Sequence, residues 1–269
     1  MISQSQPESF SISSSRHILG TRVDAISYAE VCDRVQSAVL SKKSSYIVAA
    51  NVHVIMTAFW NSKYFQILKS AEIVTPDGMP LAWGLRRLGI RRQPRVYGPD
   101  LMLALCNHAA EYNLSIYLYG GTAYTLEELS INLEQKFPKL SIVGMHSPPF
   151  RPLTPKEELQ DIERIRRTGA AIVLVGLGCP KQEEWMHRQF GKLSAVMVGV
   201  GAAFRFHSGE VKQAPAWMMK SGLEWVFRLL KEPLRLWSRY LLTNPAFVFL
   251  FGLQLTAHCL SQIQQQISR

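Results

Sequence analysis

Six short apolar runs, separated by longer stretches with helical spacing, constrain this chain most. The runs are Tyr46–Ala50, Glu72–Thr75, Ser115–Tyr119, Ser141–Met145, Ala171–Val175 and Ala195–Val198. Tyr124–Phe137 and Lys156–Arg167 carry helical periodicity between them. Strands alternating with helices predict an α/β fold: a mostly parallel sheet with helices on both faces. No internal repeat is visible. His146 to Pro155 holds four prolines and reads as a loop.

The composition is that of a globular chain, with 47% apolar and 19% charged residues among 269. That is too apolar for a disordered chain and too interrupted for a polytopic membrane protein. The formal net charge of +10 predicts a partner that carries phosphates: nucleic acid, nucleotide or an anionic membrane. Cys32, Cys106, Cys179 and Cys259 form no CxxC pair and read as free thiols in a reducing compartment. Residues 1–16 contain seven serines and no apolar core, so they read as a disordered tail rather than a secretory signal. The longest apolar run, Ala246–Leu253, has eight residues. A spanning helix needs about 20, so no conventional transmembrane helix is expected.

The character of the chain changes near Val211. Between Val211 and Tyr240 lie six basic residues and two acids, interleaved with Trp217, Trp225, Phe227, Leu230, Leu234 and Trp237. The apolar segment AFVFLFGLQLTAHCL follows Pro245. This pattern fits an interfacial element on an anionic membrane surface. It also fits a core-packing helical tail with solvated charges. The expected organisation is a tail at 1–16, a catalytic domain at 17–210 and a basic amphipathic helical appendage at 211–269.

Three strand-like segments end in glycine: YLYGGT with Gly120, Gly121 and Thr122, VLVGLGCPKQ with Gly176, Gly178 and Gln182, and VGVGAAF with Gly199 and Gly201. Turns of this kind let a backbone approach a phosphate at the carboxyl end of a sheet. Tight turns need glycine anyway. The turn at Gly176 lacks the third glycine of the dinucleotide fingerprint, and no GxxxxGK[ST] occurs. In TPDGMP, Asp77 sits in a stiff turn after a strand, either an ordinary Pro-Asp-Gly turn or a placed general base. Asn51 ends the strand YIVAAN, and Arg95 precedes YGPDL as a candidate cation for a diphosphate. No metal motif is present. Asp161-x-Glu163 lies in a charged helical stretch and reads as a solvated face, and the seven histidines are scattered.

These residues carry a resemblance. AANVHVI, ILKSAEIVTPDGMPLAW, RVYGPDL, IYLYGGT, HSPPF, VLVGLGCPKQEEW, GVGAAFRFHSGEVKQAPAW and GLEWVFRLLKEPLRLWSRY resemble the WecG/TagA/CpsF glycosyltransferases, glycosyltransferase family 26. They run in order over about four-fifths of the chain. The resemblance implies a Rossmann-like transferase that moves a sugar from a UDP-sugar to an undecaprenyl-diphosphate-linked acceptor. Such enzymes invert the anomeric centre and serve cell-surface polysaccharide synthesis as peripheral proteins on the cytoplasmic membrane face. The resemblance makes Asp77 the general base, places Asn51 beside it, and puts Arg95 and Gln182 in the active site. It gives Arg228 and Arg235, with Arg239 a weaker candidate, the closure of the site at the membrane. The chain departs from the family at Ala49, where relatives often carry Thr, and at Arg205, where they often carry Asp.

The implied reaction is a single displacement, with the diphosphate charge met by glycine-turn amides, Arg95 and the appendage arginines, without a metal ion or other cofactor. The donor sugar is left open among N-acetylmannosamine, its uronic acid, glucuronic acid and other hexoses. Arg205 is a candidate cation for a uronate. A homo-oligomer is compatible with the sequence. The alternative is a non-catalytic nucleotide-binding regulatory protein, which leaves Asp77 and Arg228 without a role. Nucleic-acid recognition signatures are missing.

Overall fold

The computed structural model describes residues 14–267. The expected disorder of the N-terminal tail falls, up to residue 13, outside the described residues. A hairpin opens the fold: β1 (Ser15–Ile18) pairs antiparallel with β2 (Thr21–Asp24). There follow α1 (Tyr28–Leu40), β3 (Ser45–Ala50), α2 (Val52–Trp60), α3 (Ser62–Lys69), β4 (Ile73–Pro76), α4 (Met79–Arg87) and α5 (Gly98–Glu111). Next come β5 (Ser115–Gly120), α6 (Ala123–Lys136), β6 (Ser141–His146), α7 (Pro155–Thr168), β7 (Ile172–Gly176), α8 (Lys181–Gln189) and β8 (Val196–Gly199). The C-terminal part holds α9 (Ala203–His207), α10 (Ala216–Lys220), α11 (Glu224–Lys231) and α12 (Pro233–Ile267).

The six later strands form one sheet in the order β4-β3-β8-β7-β5-β6, every pairing parallel. This is the expected Rossmann-like arrangement. Successive strand residues point to opposite faces. Tyr46, Val48 and Ala50 of β3 therefore enter one core with Tyr117, Tyr119, Val173 and Val175. Ile47 enters the other with Ile116, Leu118, Ile172 and Leu174. Both faces are covered, which is why these strands read as unbroken apolar runs.

Helix ends follow local chemistry. Ser27 and Glu30 form a capping box at α1, as do Thr154 and Glu157 at α7, which stops at left-handed Gly169. The hairpin escaped the sequence reading because SRHI and TRVD are polar. Its anchor is Asp24, whose Oδ2 accepts from Val74 N at 2.8 Å. Asp161 departs from the solvated face expected for it: it is 5% exposed and accepts from Tyr119 OH at 2.8 Å.

The appendage corrects a further expectation. Pro233–Gln265 within α12 is long and apolar enough to cross a membrane. Counting only the unbroken run Ala246–Leu253 missed it, because Pro245 does not break the helix and isolated polar residues are tolerated within its length. Yet α12 also packs on the domain. Phe247 and Phe251 join the core that contains Val54 and Leu81. Gln254 Oε1 accepts from Leu19 N at 2.8 Å, and its Nε2 donates to His17 O at 2.6 Å. Leu234, Trp237, Leu242 and Phe249 remain exposed on the same helix.

Candidate active site

β3 and β4 are neighbours in register, Ala50 opposite Pro76, so the residues after them meet above the sheet edge. Asp77 N and Gly78 N both donate to Ala50 O, at 2.8 and 3.2 Å. Asn51 caps α2: its Oδ1 accepts from His53 N and Val54 N at 3.1 and 3.3 Å. That cap aims its Nδ2 at Asp77 Oδ2, 3.4 Å away. Gly98 N, at the start of α5, donates to Asp77 Oδ1 at 2.7 Å. The carboxylate is thus fixed from two sides. Burial pushes its pKa up, while Arg95, Gly98 N–H and Asn51 pull the other way. A carboxylate held in a fixed orientation with a raised pKa is a stronger base than a solvated one.

Arg95 lies beside Asp77, but it is not a free cation. Its Nε donates to Asp77 O, and its Nη2 pairs with Glu224 Oε2 at 2.6 Å. Tyr97 OH donates to Glu224 Oε1 at 3.0 Å. Arg95 therefore ties the Asp77 turn to α11 rather than offering itself to a diphosphate. Glu224 was overlooked in the sequence, where it figured only as one of two acids in a basic stretch. The signal was the GLEW segment, which puts Glu224 one helical turn before Arg228.

Gln182 lies under the turn after β7, against Gly178, Gly199 and Gly201. Its Oε1 accepts from Gly178 N at 3.2 Å and its Nε2 donates to buried Glu183 Oε1 at 2.7 Å. Burial pushes the Glu183 carboxyl from 4.5 up to about 7, against the pull of Gln182. A folded-state pKa above the unfolded value gives stability that is fully present below the unfolded pKa and lost as pH rises through the folded one. The loss by about pH 8 is roughly 3 kcal/mol. Glu183→Gln is expected to flatten the fall in Tm between about pH 5 and pH 8. Thermal unfolding at both ends of that range checks it, and a wild-type slope in the variant contradicts it.

The three glycine turns lie side by side because β5, β7 and β8 are adjacent. Close packing already explains part of their composition. A Cβ on Gly120 would sit 2.8 Å from Gly176 C, one on Gly176 would sit 2.5 Å from the Phe204 ring, and one on Gly199 would sit 2.8 Å from the Met186 methyl. Gly178 is different: an added Cβ there meets nothing within 4 Å. Gly121 and Gly201 also have positive φ. Thr122 caps α6 and bonds Thr125, whose hydroxyl donates to Glu210 at 2.8 Å.

Arg205 supplies no free cation for a uronate. It pairs with Glu210 at 2.8 Å and with Glu232 at 2.9 Å, joining α9 to the end of α11. Arg235 also pairs with Glu232. Ala49 is buried 3.6 Å from where a Cβ on Gly98 would stand.

A cavity of about 480 Å³ opens beside Asp77. Asn51, Asp77 and Arg95 line its inner end, Trp83 and Arg87 of α4 one wall, and α10–α12 the other. Arg228 lines this cavity and also a narrow basic cleft with Lys212, Lys231 and Arg235 near the turn after β8. Arg239 and His53 also face the cavity.

The family model described as "Glycosyl transferase WecG/TagA/CpsF family" matches residues 16–259. This chain belongs to that family. It is a glycosyltransferase, and the regulatory alternative falls away. A protein of Bacillus spizizenii (strain ATCC 23059 / NRRL B-14472 / W23) is 31% identical over 77% of this chain and 78% of its own length. One of Bacillus subtilis (strain 168) is 32% identical over 74% of this chain and 76% of its own. Each is named N-acetylglucosaminyldiphosphoundecaprenol N-acetyl-beta-D-mannosaminyltransferase.

Proposed function

We propose that this glycosyltransferase moves a sugar from a UDP-sugar to a sugar borne on a polyprenyl diphosphate, with Asp77 as general base. The observation that carries the reading is Asp77 itself: an oriented carboxylate with a raised pKa at the inner end of a large cavity. Asp77 takes the proton from the acceptor hydroxyl as that oxygen attacks the anomeric carbon. UDP departs toward the basic cleft, where Arg228 stands between the two spaces. The names of the two bacterial relatives make N-acetylmannosamine the first donor to test and an N-acetylglucosaminyl diphosphate lipid the first acceptor.

Membrane attachment fits the exposed apolar side chains of the appendage, Leu230, Leu234 and Trp237 among them. Amphipathic helices flanked by basic residues bind anionic surfaces this way. The proposed location is the cytoplasmic face, peripheral to the bilayer.

The test is a panel of UDP-sugars with a polyprenyl-diphosphate-linked N-acetylglucosamine, EDTA present, UDP release recorded. The expected result is release that requires the acceptor, occurs with UDP-N-acetylmannosamine and persists in EDTA, because side-chain cations serve the leaving diphosphate. No acceptor-dependent release from any donor contradicts the reading. Release that EDTA abolishes contradicts its metal-free part.

A further inference from the structure

The cavity beside Asp77 is built for more than a sugar. Its chemistry changes in order from the inside outward. The carboxylate lies at the inner end. Next come Arg239 and His53, each with a buried ring or guanidinium nitrogen, Nε and Nδ1, that has no hydrogen-bond partner. Burial, then the Arg239 charge, pulls the His53 pKa down to about 4, so the imidazole is neutral and the neck carries the cation of Arg239. Beyond the neck α12 lines the cavity with Asn244 and then with the apolar Phe247, Val248, Phe251 and Leu255, across from Trp83 and Arg87 of α4. Val248 is 72% exposed, so the apolar end reaches the molecular surface. From Arg239 to Leu255 the helix runs about 24 Å.

We propose that the space between α4 and α12 is the seat of the acceptor's isoprenoid chain. The proposal rests on the transferase reading above and names the part of the acceptor held by this wall. A general base, a cation and an apolar trough in that order match a sugar hydroxyl, a diphosphate and a hydrocarbon chain in that order. A phospholipid offers no sugar to the base. A soluble nucleotide sugar leaves the apolar end empty. The unpaired Arg239 nitrogen, buried with no acidic partner among the described residues, needs an anion that arrives with the ligand. At the apolar end Val248 is 72% exposed, and a hydrocarbon chain lying there removes it from water.

Gly252 provides the probe. It lines the apolar end, and an added Cβ there meets nothing within 4 Å. A side chain at this position enters open space and replaces a helical glycine, so the helix is not weakened. Gly252→Trp is assayed beside wild type and Gly252→Ala, with two acceptors: the long-chain polyprenyl diphosphate sugar and a water-soluble analogue with a short alkyl group in place of the isoprenoid. The expected result is a KM for the long-chain acceptor raised at least about tenfold in Gly252→Trp. The short acceptor and the donor KM stay near wild type, and Gly252→Ala raises the long-chain KM less than Gly252→Trp does. Equal loss on both acceptors, or no change on the long one, overturns the seat while leaving the transferase reading standing. Weaker binding of Gly252→Trp to acceptor-free phosphatidylglycerol vesicles, matching its loss on the long acceptor, also overturns it, because the occupant is then bulk lipid. A wild-type protein that transfers to neither acceptor from any donor overturns the transferase reading and the seat together.

Discussion

Asp77→Asn is expected to lower kcat by about 10²–10⁴-fold, the span typical of general acid–base catalysis, while UDP affinity stays within about twofold. The substitution is isosteric. Asn at this position still accepts the Gly98 amide through its carbonyl, so the turn keeps its shape. The hydrogen bonds from Asp77 N and Gly78 N to Ala50 are backbone bonds and do not change. The long contact from Asn51 Nδ2 to Oδ2 at 3.4 Å goes, together with the negative charge and the capacity to take a proton. Isothermal titration with UDP beside a steady-state transfer assay separates the two effects. Full turnover in the variant contradicts the assignment of the base. Loss of UDP binding in step with turnover shows that Asp77 serves donor binding instead.

Arg228→Ala carries the second large effect. Arg95, Arg205 and Arg235 are each paired with a carboxylate, so their charge is partly consumed. Arg228 has no ion pair among the described residues and lines both the basic cleft and the cavity. A donor placed at developing negative charge contributes about 10²–10³-fold in kcat, so Arg228→Ala should cost that much. Arg228→Lys should recover only part of it, since an ammonium lacks the planar fork that grips a diphosphate. A drop in kcat of less than about threefold for Arg228→Ala would show that the leaving group is stabilised elsewhere.

The sheet was legible because its strands are buried on both faces and therefore spell continuous apolar runs such as YIVAA and IVLVG. The hairpin was not, since each strand buries a single apolar residue in the core, Ile18 and Val23, among polar ones such as Arg22 and Asp24. Asn51 and Asp77 could be paired from sequence because each ends a strand, and parallel neighbours bring their ends together. The state of Arg95 could not. Its partner Glu224 lies 129 residues away, and nothing local in RVYGPDL says that the charge is already taken. Arg205 misled in part for the same reason: Glu210 is only five residues away, but Glu232 lies 27 residues away at the end of α11. The cavity wall depended on α12 folding back over α4, a contact fixed by Phe251 against Gly84 and by Gln254 against the hairpin. A count of consecutive apolar residues has no access to such a contact.

The product of the donor panel holds the most direct test of the mechanism. A single displacement driven by one base inverts the anomeric centre. Nuclear magnetic resonance of the lipid-linked disaccharide, made with a donor labelled at the anomeric carbon, reads that configuration. The account predicts a linkage opposite in configuration to the UDP-sugar. A retained configuration would contradict it, because Asp77 would then not act as the base of a direct attack.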